Sequence, residues 1–233
     1  LAKHPDIAEL SGFDAASNDY LNAIVNNFTL ADARRIKEIE ATTNHDVKAI
    51  EYFLQKKLTA QNSLGNAIPF LHFACTSEDI NNLAYALMLK EARDAVLIPK
   101  FEALTSRLSK LAKTCGSSPM LSRTHGQTAS PTTMGKEIAN VIARISRQMA
   151  FLTQGEFLGK FNGAVGNFNA HVAAFPEADW KEISAAFIAD LGLTPNRHTT
   201  QIEPHDYVAE MFDNICRLNT ILLDYCRDTW GYI

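Results

Sequence analysis

Three runs of apolar residues at helical spacing constrain this chain more than anything else in it. The first is Ile80, Leu83 and Leu87, continued by Leu97 and Ile98. The second is Ile138, Val141, Ile142, Ile145, Met149 and Leu152, and the third is Val208, Met211, Phe212, Ile215, Leu222 and Cys226. Residues three and four apart share one face of an α-helix, so each run predicts an amphipathic helix. Helices of about 25 to 35 residues would span about 40 to 50 Å, and helices of that length bury their stripes by lying side by side in a bundle. Pro99 places a bend in the first, since proline cannot donate to the helical ladder. Alternating strands are nearly absent, and the expected fold class is all-α.

Ahead of these runs, between about Ser17 and Lys57, lie three shorter amphipathic segments. They are separated at Phe28-Thr29 and at the polar turn Thr42-Thr43-Asn44-His45-Asp46. A loop from Gln61 to Ala67 leads to an apolar piece ending at Cys75, and Thr76-Ser77-Glu78-Asp79 has the composition of a helix start: a hydroxyl cap, then acids in the first turn. The chain therefore divides into a small N-terminal helical domain, residues 1–75, and a long-helix bundle domain, residues 76–233. The second long helix is expected to start near Pro131 and the third near Pro204. Between them come an irregular Gly/Asn-rich segment over 159–167 and a shorter helix from about Asp179 to Leu191. The chain opens on Leu1 rather than methionine and reaches Ile233 inside an apolar helical pattern, so it reads as a segment of a longer protein.

Composition removes several classes of function. A net charge of −4 with no basic run gives no footing for nucleic acid. No apolar stretch approaches the roughly 20 residues of a membrane span, and no signal peptide opens the chain. Cys75, Cys115, Cys216 and Cys226 are scattered without a C-x-x-C pair, which suits reduced thiols in a cytoplasm, acting as small buried hydrophobes. No metal-ligand spacing, nucleophile elbow or phosphate-binding glycine loop occurs, so neither a metal nor a cofactor is expected.

The polar residues left over form clusters, 44–46, 76–77, 122–127 and 199–201, each at or just before an expected helix start. A site assembled at the end of a helical bundle requires such a common location. Thr76 and Ser77 at a helix mouth combine hydroxyls with the positive dipole end and could hold a carboxylate or phosphate; plain N-capping is the alternative. Gln201 is a neutral donor–acceptor before the third helix. Of the seven histidines, His45 and His125 stand in tight polar clusters at helix boundaries. His125, between polar turn residues and ahead of Pro131, is placed to exchange a proton with a polar ligand. His72 reads as a core histidine, and His171, His198 and His205 as capping or surface residues.

The run Thr124-His125-Gly126-Gln127-Thr128-Ala129-Ser130-Pro131-Thr132-Thr133-Met134-Gly135 resembles a pattern of the fumarase/aspartase superfamily, as does Thr76-Ser77-Glu78-Asp79. Thr42-Thr43-Asn44-His45-Asp46 and Gln201-Ile202-Glu203-Pro204-His205-Asp206 narrow the resemblance to the adenylosuccinate lyases of bacterial purine biosynthesis, from about Asp32 to the last residue. The resemblance implies a β-elimination that splits a C–N bond and releases fumarate. Its substrates would be succinyl-purine nucleotides: adenylosuccinate, giving AMP, and the succinylcarboxamide ribonucleotide intermediate. His125 falls on the general acid, and Asn44, His45, Asp46, Thr76, Ser77 and Gln201 fall on substrate-binding positions. A homotetramer built around a central helical bundle is implied as well. Two departures from the pattern bear on activity. The family's base is a serine in a Gly-Ser-Ser-x-Met-Pro-x-Lys-x-Asn-Pro loop, and the chain ends before any such loop; an N-terminal Arg-Tyr pair for phosphate is missing too. The 233 residues alone are therefore expected to be inactive. Alternatives are another fumarate-releasing lyase of the superfamily, such as argininosuccinate lyase or fumarase, or a non-catalytic helical scaffold.

Overall fold

The computed structural model describes residues 1–2, 4–10 and 12–233. The chain folds into two compact units, Leu1–Tyr85 with Gly159–Pro204, and Ala86–Leu158 with His205–Ile233.

The first unit opens with three short helices, α1 (Ala15–Asn26), α2 (Leu30–Thr43) and α3 (Asp46–Thr59), where the three amphipathic segments are expected. Each starts on a side-chain cap. Asp14 accepts from the Ser17 N–H, Thr29 and Asp32 form a reciprocal capping box, and the His45 ring accepts from the Lys48 N–H. The Asn/Gly/Ser segment expected as a loop is a 3-10 helix, Asn62–Phe70, with Leu64 and Ala67 buried. The long helix α4 (Ser77–Ala92) begins here. Its buried face is not the apolar stripe alone: Asp79, Asn82 and Leu83 point inward, while Ile80 and Leu87 are half-buried. The segment 159–204 returns to this unit and carries the short α7 (Asn169–Ala174) and α8 (Trp180–Asp190). Asn82 ties the return in place: its Oδ1 accepts from the Lys160 N–H at 2.8 Å and its Nδ2 donates to the Lys160 carbonyl at 3.0 Å.

The second unit contains α5 (Ile98–Thr114), α6 (Met134–Gln154) and α9 (Asp206–Tyr232). Ile138, Val141, Ile145 and Leu152 are buried on α6 as the stripe predicts. On α9 the buried face is Tyr207, Met211, Asn214, Leu218 and Ile221, while Phe212 and Cys226 are exposed. Apolar residues cover more than one face of α9, so periodicity alone does not select the buried one. Cys216 is exposed there too, which corrects the reading of all four cysteines as buried. The bend expected at Pro99 takes the form of a π-helical turn, Arg93–Leu97, immediately ahead of it. Pro99 cannot donate to Ala95, and the wider turn also relieves its ring from the preceding carbonyl. Arg93 is buried, donates to the carbonyls of Leu152 (3.3 Å) and Gly155 (2.5 Å) at the end of α6, and lies over the Phe157 ring. It thus satisfies carbonyls that the helix leaves without partners.

The largest departure from the all-helical expectation is a β-hairpin, β1 (Pro119–Thr124) and β2 (Gln127–Thr133), paired antiparallel from Pro119↔Thr133 to Thr124↔Gln127. Pro131 lies inside β2, not at the start of a helix. Helix α6 begins after it, at Met134, with the Thr133 hydroxyl accepting from the Lys136 N–H. Proline is tolerated because a two-stranded ribbon consists only of edges. Gly135 permits a close approach of α6 to the end of α5: a Cβ there would run into the Ala112 carbonyl and the Gly116 backbone.

Candidate active site

Asn44, His45 and Asp46 form the corner between α2 and α3. Asn44 takes a left-handed conformation (φ 51°) and its N–H donates to the Glu40 carbonyl, closing α2. Asparagine tolerates that region better than most side chains. The next residue, His45, caps α3. Its Nδ1 accepts from the Lys48 N–H at 3.1 Å, so in the neutral ring the proton sits on Nε2. That Nε2 lies 3.2 Å from the Ser77 Oγ and donates to it, leaving the serine hydroxyl proton to point elsewhere. Asp46 accepts from the Val47 N–H at 2.8 Å and from Asn81 Nδ2 at 3.2 Å. The Val47 amide, followed by Asn81 and the His45 ring, outweighs desolvation and holds the Asp46 carboxyl below its usual range.

Ser77 is the first residue of α4. The helix mouth next to it is anchored from below, because the Thr76 N–H donates to Asp79 Oδ2 at 2.9 Å. From the other side Gln201 Nε2 donates to the Thr76 Oγ1 at 3.2 Å. Three segments far apart in sequence therefore meet at one place: the 44–46 corner, the mouth of α4 and Gln201. The nearby Cys75 offers no nucleophile, because burial pushes its thiol up to about 12.

His125 belongs to the second unit. It does not sit at a helix start, as the sequence suggests, but with Gly126 forms the two-residue tip of the hairpin, with φ of 49° and 75°. Two positive φ angles are what a tight turn between right-twisted strands requires, and glycine at the second place supplies one at no steric cost. The His125 ring is exposed.

Sequence reasoning misses two residues of the first unit. Asp79 reads as an ordinary first-turn acid and Lys160 as a loop lysine, yet both are 0% exposed and their side chains are 3.0 Å apart. The acidic first turn is the only local sign of Asp79, and nothing near Lys160 signals burial. A cavity of about 710 Å³ in the same unit, bordered by Asn162, Phe168, Lys181, Glu182, Arg197 and His198, includes none of the candidate residues. Among the described residues no cluster of three His, Cys, Asp or Glu side chains is arranged to hold a metal ion, and no helix is long and apolar enough to cross a membrane.

Residues 2–233 match the lyase family. The chain belongs to that family. Among curated members, the adenylosuccinate lyase of Haemophilus influenzae is 54% identical over 233 residues, which are all of this chain and 51% of that protein. The adenylosuccinate lyases of Vibrio cholerae and Escherichia coli K12 are each 56% identical, with the same shares covered. The chain thus spans about half the length of the curated relatives it matches. The crystal structure of a fumarate lyase from Mesorhizobium sp. BNC1 superposes with a TM-score of 0.73 at 19% identity, over 96% of this chain and 50% of that one. At that identity the likeness concerns the fold alone.

Proposed function

We propose that this chain provides the proton-donor and substrate-binding half of an adenylosuccinate lyase, which eliminates fumarate from adenylosuccinate to give AMP and from the succinylcarboxamide ribonucleotide of purine biosynthesis. The observation that carries this reading is the meeting of the 44–46 corner, Thr76-Ser77 and Gln201 at the mouth of α4. A substrate carboxylate there would meet the Ser77 hydroxyl, whose oxygen is already occupied by His45, together with the positive end of the helix. Negative charge develops on the carboxylate side of the succinyl group as its proton is removed, so binding at that point favours the transition state. Gln201 and Asn44 supply neutral donors and acceptors, and the anionic Asp46 suits a donor group of the substrate. His125, on an exposed turn, would protonate the departing nitrogen. An imidazole suits that step because its ordinary pKa, about 6.5, lets both forms exist near neutrality.

The enzyme would act in the cytoplasm as a homotetramer, without metal or cofactor. The 233-residue chain alone would release no fumarate, since it contains no serine loop of the family pattern. Two measurements test the reading. Calorimetric titration of the chain with adenylosuccinate should show binding that weakens in Ser77→Ala; no binding at all would sink it. A hybrid in which this chain replaces the matching half of the Escherichia coli relative should cleave adenylosuccinate, and His125→Ala in that hybrid should lower kcat by about 10²- to 10⁴-fold with the fold intact. A hybrid indifferent to His125→Ala would remove the histidine from the chemistry.

A further inference from the structure

Among the described residues Lys160 is the largest side chain with no exposed surface. Its ammonium group has three protons and three oxygens to receive them: Asp79 Oδ1 at 3.0 Å, the Gly163 carbonyl at 3.0 Å and the Gln201 carbonyl at 2.7 Å. With every donor engaged and no exposed surface, this lysine is not available as a base or a nucleophile. Asp79 is equally occupied. Besides Lys160 it accepts from the backbone N–H groups of Thr76 (2.9 Å), Asn162 (3.0 Å) and Gly163 (3.1 Å).

These bonds close a ring. Lys160 holds the Gln201 carbonyl, the Gln201 side chain holds the Thr76 hydroxyl, the Thr76 N–H holds Asp79, and Asp79 holds Lys160. Two members of the ring are the buried ion pair, and the other two are candidate ligand contacts. The ring also has an electrostatic consequence. An unpaired carboxylate at Asp79, in the first turn of α4, would offset the positive end of the helix and repel an anion at its mouth. Lys160 cancels that charge from beneath.

We propose that Lys160 is a positioning residue for the anion pocket at the mouth of α4: it fixes Gln201 against Thr76 and neutralises Asp79, without touching the ligand itself. The identity of the ligand rests on the function proposed above; the ring does not.

NMR of the ¹⁵N-labelled 233-residue chain, with adenylosuccinate as the ligand, tests this. In the wild-type chain the Lys160 ammonium is expected to exchange slowly with water and to show coupling through its hydrogen bond to the Gln201 carbonyl. The Gln201 side-chain amide is expected to lie away from the free-glutamine position. Lys160→Met should return that amide to the free position while the backbone signals of α2 and α3 stay in place, and should weaken adenylosuccinate binding about tenfold. Thr76→Val, which alters only a half-buried side chain, should release the Gln201 amide from the other end of the ring. A Gln201 amide unmoved in a folded Lys160→Met chain overturns the proposal. Where that variant does not fold, absence of the Lys160–Gln201 coupling in the wild-type chain overturns it, and its presence together with release by Thr76→Val upholds it. A wild-type chain that shows the ring but binds no adenylosuccinate retains the positioning role and loses the lyase reading.

Discussion

His171 shows most directly how a single side chain can set a solution property of the molecule. It is 1% exposed, neither ring nitrogen has a hydrogen-bond partner, and its ring is enclosed by Phe73, Phe161, Phe168 and Trp180, the last at 4.8 Å between centroids. Burial lowers its pKa, and the negative Asp79 offsets this only in part. The folded state therefore prefers the neutral ring, while the unfolded chain takes up a proton near the ordinary value of about 6.5. Stability from this residue is fully present above that pH and is lost as pH falls from there through the lowered folded value. The urea midpoint should drop between pH 7.5 and 5, and His171→Phe, which suits the aromatic surroundings, should flatten the drop. An equal slope in both proteins would place the acid sensitivity elsewhere. The sequence reads His171 as a capping or surface residue because Phe161, Phe168 and Trp180, though near in the chain, lie outside its own short helix, and Phe73, the fourth enclosing ring, lies 98 positions away. His45 is different: its cluster with Asn44 and Asp46 is local, and its place at a helix boundary is legible from that cluster alone.

At the scale of elements, the hairpin is the instructive departure. Pro131 followed by Thr132 and Thr133 reads as the opening of a helix, and a helix does open close by, but only after Thr133 and behind a ribbon. The two-residue His125-Gly126 tip between polar strands is the available signal, and it is weak because both strands are largely exposed and so lack an alternating apolar face. A two-stranded ribbon has little stability of its own, so its junction with α6 matters: Met134 and Gly135 donate to the Ser118 and Cys115 carbonyls at 3.1 and 3.0 Å. Gly135→Ala should disturb this junction, because the added methyl meets backbone rather than a movable side chain. We expect it to lower stability by about 1–3 kcal/mol, compared with about 1 kcal/mol for removing the cap in Thr133→Ala. Denaturant unfolding measures both, and a neutral Gly135→Ala would mean that α5 and α6 can separate there without cost. By contrast, the long stripe of α6 is legible because, Phe151 apart, its large apolar residues occupy one face, whereas those of α9 occupy more than one.

For the whole molecule, helical class and the approximate places of most long helices can be read from local patterning, but the return of 159–204 to the first unit cannot. That return depends on Asn82, Asp79 and Lys160, polar residues whose partners lie about 80 positions away. No periodicity records such a pairing. The second unit also leaves apolar side chains exposed, Phe212 and Leu223 on α9 and Trp230 at 78%. Exposed aromatic and aliphatic surface of this kind marks an interaction face. The chain is therefore expected to self-associate: sedimentation velocity should show species larger than 25.8 kDa whose share rises with concentration, and Trp230→Lys should reduce it. A monomer at all concentrations would contradict the assembly proposed for the enzyme.

The enclosure of Lys160 has a use beyond catalysis. Lys37, 71% exposed on α2, offers its amine to any acylating reagent in solution, whereas the Lys160 amine can be reached only while the first unit is open. The ratio of labelling at these two positions, read by mass spectrometry over time, is then a clock for local opening of the unit that carries the candidate pocket. A ligand that binds the closed form would slow that clock whether or not any chemistry ensues.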